Sequence, residues 1–83
     1  SAIEMLANIV LELPAWKNAP RTDALTYVYQ LLGAINYFAI SQPTLKQMFG
    51  ARQSKAIEEA FRAQLYRWIQ AGIERIEIKE TQI

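Results

Sequence analysis

Glu74, Glu77 and Glu80 stand three residues apart. On a helix that spacing lines carboxylates along one face, and carboxylate oxygens suit a hard divalent cation. The plainer reading, a solvated acidic tail, has the better base rate. Glu58 and Glu59 diverge by about 100° on a helix and do not converge on one ligand. The chain contains no histidine and no cysteine. It therefore lacks the usual general base, the thiolate nucleophile and the commonest transition-metal ligand. Gly33, Gly50 and Gly72 lie too far apart to build a phosphate-cradling loop. No residue is assigned a catalytic or metal-binding role, no cofactor is implied, and the sequence reads as a binding protein rather than an enzyme.

Two other groupings carry recognition chemistry. Lys46, Arg52 and Lys55 cluster in sequence and suit contact with phosphate, but ordinary solubilising charge is the favoured reading. The formal net charge of +1 predicts no attraction to nucleic acid, and no basic helix is available to read base edges, so direct nucleic-acid contact is not expected. Tyr27, Tyr29, Gln30, Asn36, Tyr37, Tyr66 and Trp68 form the stronger candidate. Ligand pockets are mostly apolar with a few placed polar groups, and this set has that mixture. Ordinary packing is the competing reading.

The elements that must position these residues are helical. The chain has 83 residues, 52% of them hydrophobic, enough for one folded domain with a modest core. Ile3, Leu6, Ile9, Val10 and Leu13 recur at helical spacing, so a first helix is expected from Ala2 to Leu13, ended by Pro14. The segment from Pro14 to Pro20 reads as a loop with Trp16 tucked beneath it. Thr22 suits the N-cap of a second helix reaching about Ile40, with Asp23 at its positive end.

From Ala24 through Leu45 no residue is charged. Tyr27, Phe38, Leu31, Ile35, Val28, Leu32 and Leu25 fall on one arc of this helix. Thr26, Tyr29, Gln30, Gly33, Asn36, Ile40 and Tyr37 fall on the other. A helix without charge on any side is expected to be enclosed, so the second arc should face a cavity, a partner or another helix. The run is short for a membrane span and is broken by Gln30 and Asn36, so no membrane role is expected. Ser41-Gln42-Pro43 reads as a break, with a short third helix from Pro43 to Phe49 and Gly50 as its left-handed stop. A fourth helix is expected from Arg52 or Ser54 to Ala71, with Ile57, Phe61, Leu65, Trp68 and Ile69 as its core stripe. Gly72 would end it. The fold class is thus all-α, a small bundle of about four helices with a short third helix. The tail, 73–83, fits a helical turn or a strand.

Two stretches, Tyr37-Phe-Ala-Ile-Ser-Gln-Pro-Thr-Leu-Lys-Gln-Met-Phe-Gly50 and Phe61-Arg-Ala-Gln-Leu-Tyr-Arg-Trp-Ile-Gln-Ala-Gly-Ile73, resemble the C-terminal regulatory domain of TetR-like (tetracycline repressor family) transcription regulators. The resemblance covers roughly residues 22–76. It implies a cytoplasmic, ligand-binding and dimerising domain that controls a DNA-binding head lying outside this sequence. Residues 1–83 would then be a single helical regulatory domain, a fragment of a longer protein.

On this reading a small, largely apolar effector binds, and a homodimer transmits its effect. Tyr29, Gln30, Asn36 and Tyr37 would orient the ligand, and Phe61, Leu65 and Trp68 would line the wall. The alternative is a helical interaction or self-assembly module without a small ligand. Its surface would be the uncharged arc of the second helix or the alanine face Ala56, Ala60, Ala63 and Ala71.

Overall fold

The computed structural model describes residues 1–75. Within them the protein is all-α, with two α-helical elements rather than four: α1, Ala2–Val10, and α2, Arg21–Ile73. Helix α1 begins on a reciprocal cap. The Ser1 hydroxyl accepts from the Glu4 backbone N–H, and Glu4 reaches back to the N-terminal amine. It ends at Val10, before the expected Leu13, and Leu11 to Leu13 form turns. A short 3-10 turn, Pro14–Trp16, follows.

Helix α2 starts at Arg21 with Pro20 at the N-cap, so Thr22 is not its cap. A straight helix of 53 residues would be about 80 Å long. The molecule measures 45 × 36 × 18 Å. The difference is made at Gly50, where φ is 83° and ψ 168°. That conformation is open to glycine and strained for other residues. The chain doubles back there, and α2 becomes a hairpin of two antiparallel limbs, 21–49 and 51–73. Phe38 and Phe61 stack across it with ring centroids 4.2 Å apart. Nearer the open end, the Tyr27 hydroxyl donates to the Ile69 carbonyl at 2.8 Å.

The expected short third helix is absent. Ser41, Gln42 and Pro43 continue α2 without interruption. Proline inside a helix leaves the carbonyl four residues back without its usual partner, here that of Ala39. Ala39 and Pro43 are both exposed, so water can serve that carbonyl. Close by, the Ser41 hydroxyl donates to the Phe38 carbonyl at 3.2 Å. The break read at Ser41 to Pro43 is therefore absent, the stop read at Gly50 becomes the bend, and the four-helix bundle is replaced by one short helix against a helical hairpin.

The core is small and lies at the hairpin's open end. Ala7, Trp16, Ala24 and Val28 are its buried members, with Ile3, Val10, Leu13, Leu25, Tyr27 and Leu32 packed around them. Small residues at 7 and 24 let α1 lie close against the first limb. Trp16 is buried, as the loop reading expected.

Candidate functional site

The open end of the hairpin is held by a clasp. The Trp16 indole N–H donates to the Gly72 carbonyl at 2.9 Å. The same carbonyl accepts from the Arg75 backbone N–H at 3.0 Å, so the indole supplies a second bond to it at the end of α2. Trp16 also packs on Tyr27, with ring centroids 5.3 Å apart. The Arg75 guanidinium lies 4.6 Å over the indole ring and 3.5 Å from the Asp23 carboxylate. Arg75 has a φ of 54°, in the left-handed region. Desolvation by burial raises the Tyr27 hydroxyl above its ordinary pKa, so it stays protonated as a donor. Gly72 is needed for this arrangement, because a Cβ there would run into the Tyr27 ring. The sequence reading made Gly72 a helix stop. Its role is close approach, and α2 continues one residue further.

Beside the clasp, α1 and both limbs of α2 enclose an apolar groove of about 380 Å³. Leu6, Ile9 and Val10 form one wall, Val28 and Leu31 the floor, and Ile69 and Ile73 the other wall. No polar atom is exposed in its lining. Its rim is open, since Leu6 is 39% and Ile9 54% exposed. A second hollow of about 300 Å³ follows toward the bend, lined by Ile35, Phe38, Phe61 and Leu65. Ile35 lines both, so the two are neighbours along the hairpin.

The seven residues read from sequence as a binding site do not share one cavity. Tyr29, Gln30 and Asn36 line an open hollow of about 500 Å³ with Ile3 and Gly33. Phe61 and Leu65 belong to the hollow near the bend. Tyr37 is 73% and Trp68 42% exposed, and neither lines these three hollows. The expected enclosure of the uncharged arc is also corrected. Thr26, Tyr29, Gln30, Gly33, Asn36, Tyr37 and Ile40 are all exposed, because the second limb and α1 both pack on the apolar arc. Trp68 likewise leaves the expected core stripe, whereas Ile57, Phe61, Leu65 and Ile69 are half-buried.

Sequence reasoning missed the groove. Its signal was the periodicity of α1, whose Leu6, Ile9 and Val10 line the groove. Half of that face borders open space.

Among the described residues no group of three or more acidic, histidine or cysteine residues is placed to hold a metal. Glu77 and Glu80 lie outside the described residues, as does most of the ambiguous tail. No described helix is long and apolar enough to cross a membrane. Lys46, Arg52 and Lys55 are exposed around the bend. No family model, curated protein or solved structure matches the chain.

Proposed function

We propose that this chain is a sensing module that binds a small, uncharged, largely apolar effector in the groove between α1 and the hairpin. The observation that carries the reading is the groove's wholly apolar lining at a junction of three helical segments. Its volume falls within the roughly 300–1,000 Å³ of small-molecule sites. A charged ligand would lose its hydration there with no partner in return. The effector would tie α1 to both limbs. It could then shift the balance between arrangements in which α1 is docked or released. The setting of a TetR-like transcription regulator rests on the two sequence stretches that resemble that family.

A thermal-shift screen of neutral apolar compounds tests the reading. Stabilisation of the wild-type chain is expected, and Ile9→Lys should abolish it. Ile9 is already exposed, so the variant keeps its fold while placing an ammonium at the groove mouth. Failure of every compound to stabilise the wild type counts against the proposal, as does equal stabilisation of Ile9→Lys.

A further inference from the structure

The apolar groove and the hollow toward the bend are two ends of one trough. Val28, Ile35 and Ala39 stand seven and four residues apart on the first limb, and Arg62, Ile69 and Ile73 repeat that spacing on the second. Each set falls within about 40° of helix arc. Val28, Ile69 and Ile73 line the groove, Ala39 and Arg62 line the hollow, and Ile35 lines both. From Ile73 to Arg62 the second limb rises about 16 Å. The trough is chemically graded along that length. The groove exposes no polar atom, whereas the hollow has one polar side chain in its lining, Arg62. A guanidinium has five N–H donors and no acceptor. The bond from Arg62 Nη2 to Glu58 Oε2 at 2.8 Å uses one of them.

We infer that the effector is a linear alkyl chain ending in an uncharged carbonyl acceptor, an ester or an amide, with its chain in the groove and its carbonyl on Arg62. The inference rests on the groove being a ligand site. A polar head placed in the groove would lose its hydration without a partner, so it belongs at the other end. There the only lining group can donate and cannot accept, so the head must be an acceptor. Glu58 already closes an ion pair with Arg62. An anionic head would lie against that carboxylate too, and the repulsion favours a neutral carbonyl. Lys55, the next cation along this face, stands about 10 Å further along the helix, where salt screens it. The trough is long and one helix groove wide, which suits an extended ligand over a compact one. An extended chain gains about 1.2 Å per bond, so roughly a dozen bonds fill it.

Calorimetric titration of the full chain with three probes tests this: toluene, which is short enough for the groove alone, methyl decanoate, and the decanoate anion. Methyl decanoate should bind wild type more tightly than decanoate does. Arg62→Met should weaken methyl decanoate about three- to tenfold and leave toluene unchanged. The Arg62 side chain is 73% exposed, so the variant keeps its fold, and circular dichroism checks that. Glu58→Gln should narrow the gap between ester and anion, because it removes the repelling charge and keeps the donors. If toluene binds but Arg62→Met leaves the ester's affinity unchanged, or weakens toluene equally, the inference falls while the groove reading stands. Decanoate binding wild type as tightly as the ester overturns it, as does a gap that Glu58→Gln leaves untouched. Binding of none of the three probes overturns both readings.

Discussion

The two limbs of the hairpin are both regular helix, yet their outer faces follow opposite rules. The second limb presents Arg52, Lys55, Glu59, Arg62 and Arg67 to water, with Arg62 paired to Glu58 at 2.8 Å. That is how a helix facing solvent is normally composed. The first limb presents amides, tyrosines, a glycine and an isoleucine, with no charge between Ala24 and Leu45. Both inner faces do the same work, meeting at Phe38 and Phe61 and at Tyr27 and Ile69. The difference teaches that missing charge is not the same as burial.

The largest effects are expected from truncating the chain's two tryptophans in turn. Trp16 is 4% exposed and closes the hairpin, whereas Trp68 is 42% exposed on the second limb. Trp16→Ala should cost about 3–5 kcal/mol, by lost burial of the indole and loss of its bond to the Gly72 carbonyl. For a domain of this size that leaves little or no folded population. Trp68→Ala should cost under about 1 kcal/mol. Urea midpoints for both variants check the ranking, and equal losses would refute the clasp.

The glycines sharpen it next. Gly50→Ala meets the strained conformation at the bend and should cost about 1–3 kcal/mol. Gly72→Ala should cost a similar amount, about 1–3 kcal/mol, by pushing Tyr27 off the Ile69 carbonyl. Gly33→Ala should do the opposite and stabilise the fold by about 0.5–1 kcal/mol. Thermal unfolding of dilute protein separates the three.

A smaller effect follows from pH. Burial holds the Tyr27 hydroxyl above its ordinary pKa of 10.0. The folded state therefore keeps this proton after the unfolded state has lost it. By linkage, Tyr27's contribution is fully present below pH 10 and is lost as pH rises through the raised value. Subtracting the stability profile of Tyr27→Phe from that of wild type should reveal this alkaline loss. The smallest effect is expected on the charged face. Glu58→Ala should cost about 0.3–0.5 kcal/mol, and added salt should erase the difference.

The features legible in the sequence were those set by backbone stereochemistry and by one-sided periodicity. Gly50 was readable as a left-handed stop because a glycine there follows an apolar helical run. Trp16 was readable as buried because a large aromatic between two prolines has few other uses. The inner arc of the first limb, from Leu25 to Phe38, was readable from its spacing, although Ile35 remains 43% exposed.

Three features were not legible. Pro43 is a strong local signal for a helix boundary, but the helix tolerates it where the freed carbonyl faces water. The outer arc was assigned to an enclosed environment because neutral side chains are compatible with both burial and exposure. The groove depends on where α1 stops against two limbs 40 residues apart in sequence, and no local pattern encodes that distance.

Everything here depends on α2 reversing direction at Gly50, and a distance reports it directly. Spin labels at Thr26 and Gln70, both exposed, would sit near the open end on opposite limbs. With limb axes about 8–10 Å apart, the labels should lie within about 20 Å of each other by pulsed dipolar spectroscopy. A separation near 65 Å, the span of an unbroken helix between those residues at about 1.5 Å per residue, would contradict the hairpin, the clasp and the groove together.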